Sequence, residues 1–247
     1  PRVISPLRSL YLFFFFSFLW KDCFSDTAFI TNQESNKLDV IDLKNKKKIS
    51  EFSVGEKPAG IFVDKKNNEI FVSNPGSHNI SRINLKNNSQ QLLVSGKSPM
   101  SIQLCNKKGI LYVSNWFENT VSIIDIKKNT VINKIKTGSS PAGIFFFENA
   151  QILLVANKDD DNLSVYNTES LKELKKIKVG KAPYGIFSHE NSEYIFVTNV
   201  QSNSVSIIDK INLKVDAEIK VGSWPYQVAY DKINRLMSVS QTGVNMV

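Results

Sequence analysis

Five aromatic residues stand apart from the apolar runs of this chain. Trp116 and Phe117 fall in "NWFEN" (115–119), Tyr184 in "GKAPYG" (180–185), and Trp224 and Tyr226 in "GSWPYQ" (222–227). Gly, Pro, Asn and small polar residues surround them, which is the composition of surface loops. Aromatic rings on loops either stack on a ligand and pack into a partner, or cap the hydrophobic core beneath them. Both readings are open at this point. Lys57, Lys181 and His78 lie in segments of the same kind and would add charge and hydrogen bonding to such a surface. These eight residues form the candidate set for binding a ligand or partner.

Residues that could do covalent or metal chemistry do not assemble. "KDDDN" (158–162) offers Asp159, Asp160 and Asp161, but consecutive carboxylates with no closing acid at EF-hand spacing read as a solvated turn rather than a calcium loop. His78 and His189 belong to loops at opposite ends of their strands, so one metal or haem ligated by both is not expected. The chain has no Cys-x-x-Cys-His for covalent haem and no Gly-x-Ser-x-Gly nucleophile turn. Asp42, Asp125 and Asp209 recur at strand ends, with Asn84 at the matching place, and read as turn residues. No catalytic residue, metal or cofactor is assigned.

The elements that position the aromatics come from a repeat. Gly-x-x-Pro recurs as Gly55/Pro58, Gly96/Pro99, Gly138/Pro141, Gly180/Pro183 and Gly222/Pro225, with glycines 41, 42, 42 and 42 residues apart. A small residue followed by Asn recurs at Asn32, Asn74, Asn115, Asn157 and Asn199, and the sixth copy ends in Gln241. A third mark follows four or five residues later: Asn36, Asn79, Asn119, Asn162, Asn203 and Asn245.

Each unit holds four short β-type runs. From Pro183 they are "YGIFS", "YIFVTN", "SVSIIDK" and "AEIKVG". Val205 and Ile207 alternate with Ser204 and Ser206, and Ala217, Ile219 and Val221 with Glu218 and Lys220. This period of two predicts one packed and one wetter face. Four antiparallel strands per repeat of this length make an all-β, β-propeller blade. Gly and Pro then turn the chain from an outer fourth strand to the next inner first strand, where Pro, lacking an N–H, fits at the strand start. The residue two after Pro is Gly60, Ser101, Gly143, Gly185 or Gln227; small residues there suit strands converging on a central channel, and Gln227 departs from this. The Asn closing the second strand is expected to bond the following turn through its side chain. Lysine clusters such as "KNKKK" (44–48) and "KELKKIK" (172–178) belong near outer edge strands, which they protect from edge-to-edge pairing.

The 247-residue chain carries a formal charge of +8 and ordinary proportions of apolar and charged residues. Its N-terminus differs. Arg2 and Arg8 flank "LYLFFFFSFLW" (10–20), whose eleven residues reach about 16 Å as a helix, roughly half a bilayer core. Residues 1–25 are therefore expected to be a signal peptide, with cleavage after Ser25. Cys105 is then the one remaining thiol and cannot form an internal disulfide. The charge falls to +6 without Arg2, Arg8, Lys21 and Asp22. The expected location is periplasmic or secreted, with no transmembrane span in the mature chain and no nucleic-acid partner.

"IFVTN", "ILYVSN" and "EIFVSN", with "NSVSIID" and the Gly-x-x-Pro corners, resemble the YVTN family of β-propeller repeats over residues 27–247. The resemblance implies an exported, usually seven-bladed propeller that is a monomer when complete. Its fold is similar to that of lactonase and haem d1-carrying propellers. Strand counting gives about 21–22 strands, or five to six blades, so residues 26–247 are read as an incomplete ring lacking C-terminal blades. The favoured function is a non-enzymatic binding scaffold whose loop face meets an unidentified protein, glycan or small molecule. The alternative is a lactonase-like hydrolase or a redox propeller carrying haem or quinone, with key residues in the missing blades.

Overall fold

The computed structural model describes residues 27–189, 191–231 and 233–242. The expected signal peptide and the final repeat mark, Asn245, lie outside the described residues. The chain folds as six antiparallel sheets laid down in sequence order. The first sheet holds β1 (Thr27–Asn32), β2 (Lys37–Asp42) and β3 (Lys47–Ser53). Four complete four-stranded sheets follow. They are β4 (Ile61–Asp64), β5 (Glu69–Asn74), β6 (Asn79–Asn84) and β7 (Gln90–Val94); β8 (Pro99–Cys105), β9 (Ile110–Asn115), β10 (Thr120–Asp125) and β11 (Thr130–Lys136); β12 (Pro141–Phe147), β13 (Ile152–Asn157), β14 (Asn162–Asn167) and β15 (Glu173–Lys178); β16 (Pro183–Phe187), β17 (Tyr194–Asn199), β18 (Ser204–Asp209) and β19 (Lys214–Lys220). The last sheet holds β20 (Pro225–Asp231) and β21 (Leu236–Gln241). Among the described residues no helix is long and apolar enough to cross a membrane.

Five apolar clusters join each sheet to the next, and this stacking makes the fold an open β-propeller. Leu38 and Phe52 meet Ile70 and Val72 between the first two sheets, and Phe71 and Ile80 meet Ile102 and Val113 at the next. Tyr112 and Ile135 meet Phe146 and Val155, Leu163 and Ile177 meet Val197, and Phe196 and Val205 meet Val228 and Val239. Each fully buried aliphatic side chain contributes about 1.5–3 kcal/mol. Neighbouring sheets cover both faces of each complete one, which overrides the simple in–out alternation. Ser204 and Ser206, expected on a wetter face, are buried like Val205. Conversely Ile219 on β19 is 42% exposed, whereas its counterparts Phe52, Ile135 and Ile177 on earlier fourth strands are buried; among the described residues the last sheet has two strands and no outer ones to cover Ile219.

The corner prolines start first strands, as expected, at Pro99, Pro141, Pro183 and Pro225. Pro58 departs from that expectation. It is buried, yet it lies ahead of β4, which begins only at Ile61. The cause is a second proline. In the later corners the amide following the second-strand Asn donates to the carbonyl just before Pro: Trp116 to Ser98 O (2.9 Å), Lys158 to Ser140 O (3.2 Å) and Val200 to Ala182 O (2.9 Å). In the second sheet that position is Pro75, which has no N–H to give, so the ladder stops short of Pro58. The next bond is kept: Gly76 N donates to Glu56 O (3.0 Å), as Phe117, Asp159 and Gln201 do to Lys97, Ser139 and Lys181 in the later corners.

Register shifts recur where third and fourth strands pair, after Val40, Ile123, Val165 and Ile207. Such β-bulges bend the outer strand and turn the extra residue outward, which accounts for the exposure of Ile49, Ile132 and Leu174.

Candidate functional site

The turns from second to third strands and the crossovers from fourth to first strands meet on one face, and hydrogen bonds lock them together. The residue before each Pro has φ near +53°: Lys57, Ser98, Ser140, Ala182 and Trp224. Its amide donates to the left-handed residue in the preceding sheet's turn. The pairs are Lys57 to Asn36 Oδ1 (2.9 Å), Ser98 to His78 Nδ1 (3.1 Å), Ser140 to Asn119 Oδ1 (2.9 Å), Ala182 to Asp161 Oδ1 (2.8 Å) and Trp224 to Asn203 Oδ1 (3.0 Å). Pro58 thus keeps its place behind a latched corner although it starts no strand. The third sequence mark is out of register in two copies. His78 and Asp161 hold the latch position, while Asn79 and Asn162 begin the third strand. The three aspartates of "KDDDN" serve two successive corners, Asp159 and Asp160 the one at 138–141 and Asp161 the one at 180–183. Asp159 accepts from the Ser140 hydroxyl, Asp160 takes the Ser139 amide at 3.0 Å, and Asp161 forms the latch.

The second-strand Asn works differently from expectation. Instead of bonding the turn, it reaches across to third-strand side chains. Asn157 Nδ2 donates to Asn162 Oδ1 (2.7 Å) and Ser164 Oγ (2.8 Å), and Asn157 Oδ1 accepts from the Gly138 amide (3.1 Å). Asn115 does the same with Thr120, Ser122 and Gly96. The small residue before Asn also has a job. Ser73 Oγ accepts from Gly60 N (2.8 Å) and donates to Met100 O on the next sheet (2.6 Å). Ser114 bridges Ser101 N to Ala142 O, and Thr198 bridges Gly185 N to Tyr226 O. Close approach of these first strands also excludes side chains. A Cβ on Gly60, Gly143 or Gly185 would stand 2.2–2.4 Å from the carbonyl oxygen of Met100, Tyr184 or Tyr226. It is the neighbouring backbone, rather than a narrow channel, that requires glycine there.

On this frame two register positions per repeat build one cleft. The residue after Pro supplies Met100, Tyr184 and Tyr226, and the residue after Asn supplies Trp116, Lys158 and Val200. With Ser98 and Phe117 they line an open cleft of about 400 Å³. The Trp116 and Tyr184 rings lie 6.2 Å apart at 54°, and Tyr184 meets Tyr226 edge-on at 4.9 Å and 81°. Lys158 Nζ sits 5.3 Å from the Trp116 ring centroid and 3.0 Å from Asp159 Oδ1. Burial, with the neighbouring Tyr226, pushes the Tyr184 hydroxyl up to about 12, so it is neutral across the physiological range.

Of the sequence candidates, Trp116, Phe117, Tyr184 and Tyr226 come together. Trp224 is 56% exposed and does not line the cleft, nor do Lys57, Lys181 and His78. Lys158 and Val200 escaped the sequence reading. Their signal was their place directly after Asn157 and Asn199, the position that Trp116 holds after Asn115.

No family model matches this chain, and no curated protein matches it. Solved structures do. A functionally unknown protein from Desulfotomaculum acetoxidans DSM 771 superposes with a TM-score of 0.75 at 11% identity, over 88% of this chain and 73% of that one. Kuenenia stuttgartiensis hydrazine synthase superposes with a TM-score of 0.62 at 14% identity, over 89% of this chain and 93% of that one. At such identities the likeness is one of fold.

Proposed function

We propose that this protein is an exported, non-enzymatic β-propeller of the YVTN-repeat type that binds a small ligand, or a protruding group of a larger partner, in the aromatic cleft of its loop face. The observation that carries the reading is the convergence of Trp116, Tyr184 and Tyr226, far apart in sequence, on one cleft beside Phe117 and Met100. A mostly apolar concavity with a few polar groups, of roughly 300–1,000 Å³, is the usual form of a small-molecule site. Latches from sheet to sheet hold the walls, so the cleft is formed before any ligand arrives and little ordering entropy opposes binding. The apolar signal-like run at 10–20 supports export, and the YVTN-type marks support the family assignment.

The test is a saturation-transfer NMR screen of the full chain against small sugars, aromatic acids and ammonium compounds. Saturable binders are expected for the wild type, with their signals lost in Trp116→Ala and Tyr184→Ala. An absence of cleft-dependent binders would overturn the proposal. An absorption spectrum and metal analysis of the purified protein test the cofactor-carrying alternative: a haem or quinone chromophore would favour it over the scaffold.

A further inference from the structure

The shape and charge of the cleft narrow the chemistry of its occupant. Flat ligands such as pyranose rings and aromatic acids gain most from one exposed ring face or from parallel faces. Here the three rings are steeply inclined, at 54° between Trp116 and Tyr184 and 81° between Tyr184 and Tyr226. Such rings form a corner that suits a compact, rounded group. The sign of its charge is also visible. The position over Trp116 already holds a cation, the Lys158 ammonium, on a side chain only a quarter exposed. Asp159 pairs with it, and no carboxylate lines the cleft itself.

We propose that the cleft is an aromatic cage for a quaternary ammonium group, and that Lys158 is the resident cation such a ligand displaces. This assignment rests on the cleft being the binding site. Ring faces attract a cation through their quadrupole, and the attraction is larger where water is excluded. A trimethylammonium head has no N–H to satisfy, so a cage of Trp116, Tyr184, Tyr226 and Met100 can hold it without hydrogen-bond acceptors. Lys158 has a flexible four-carbon stem and can swing out to solvent. Asp159 is then left as the counter-charge beside the incoming cation.

The experiment is isothermal titration of the full chain with choline and with its neutral isostere 3,3-dimethyl-1-butanol. Choline is expected to bind at least about tenfold more tightly than the isostere. Lys158→Met keeps the length and apolar stem but removes the competing charge, and should tighten choline about tenfold. Trp116→Leu keeps apolar bulk without the π face and should weaken choline about tenfold. Equal or tighter binding of the isostere, or choline affinity unchanged in both variants, would overturn the ammonium assignment. If sugars or aromatic acids bind in the cleft and choline does not, the site stands and its ligand class is wrong. If nothing binds, both proposals fall. Phosphatidylcholine vesicles separate the two sources of this head group: capture by them but not by phosphatidylglycerol vesicles assigns the lipid, and choline binding without capture assigns a free solute.

Discussion

Ala156 stands where the other complete sheets place a hydroxyl. Ser73, Ser114 and Thr198 each accept from a first-strand amide and donate to the next sheet's carbonyl, and Ala156 does neither. The carbonyl it leaves without that donor belongs to Tyr184, a wall of the cleft. Ala156→Ser should therefore stabilise the protein by about 0.5–1.5 kcal/mol per restored hydrogen bond, read as a higher urea midpoint. A lower midpoint would show that the buried site has no room for the oxygen. Tyr184 gives a second residue-scale prediction. Its folded pKa is raised above the ordinary tyrosine value of about 10, so the folded state binds the extra proton between the two values. Its contribution is complete below pH 10 and lost as pH rises towards 12. A late phenolate absorbance step near pH 12, absent in Tyr184→Phe, is the expected result. Individual cleft residues were only half legible in the sequence. Aromatics on loops announce themselves by type, whereas Lys158 and Val200 needed the register of the repeat, and a lysine beside three aspartates looks like any solvated turn.

At the scale of the element, the corner latch is the device that repeats. Asn119 has φ 54° and accepts the Ser140 amide. Asn119→Ala loses the acceptor and forces a Cβ residue without local hydrogen bonding into the left-handed region, at a cost of roughly 1–3 kcal/mol. Asn119→Gly loses only the acceptor and should cost less, and a chemical denaturation series would rank the two. His78→Asn should be nearly neutral, because Asn fills that position in three other corners. The turns on the opposite face are capped by another repeated device. Asp209 accepts from the Ile211 and Asn212 amides, and Asn84 accepts from Lys86 and Asn87. The Asn212 amide, above all, holds the Asp209 carboxyl below the ordinary carboxylate range, as the Asn45 amide does for Asp42. That stabilisation is present above the ordinary value of about 4 and disappears as pH falls through the lower folded value. Asp42→Asn with Asp209→Asn keeps the caps but removes their titration, so the acid limb of thermal stability against pH should flatten. The sequence reading of these aspartates as turn residues agrees with the geometry. The Asn marks were legible as marks but not as roles, because spacing alone does not distinguish the latch residue from its neighbour one position on. Pro58 shows the same limit: its spacing matches the other corners, and only the missing amide of Pro75 sets it outside the strand.

For the whole molecule, the period of the Gly, Pro and Asn marks was enough to give the all-β blade architecture and the order of the sheets. Burial was harder to read. A two-residue alternation tells which residues share a face but not whether a second sheet covers the other, and that is why Ser204 and Ser206 were misplaced. The cleft is a property of this scale, since its walls come from four successive sheets, each packed on the next. Its claim to be the binding site is tested most directly by diffraction from crystals soaked with a mixture of small sugars, aromatic acids and ammonium compounds. The account predicts bound density in the cleft, against the rings of Trp116, Tyr184 and Tyr226. Density confined to other surfaces, such as the polar hollow of about 220 Å³ beside Glu69 and Arg82 or the exposed Trp224, would contradict it.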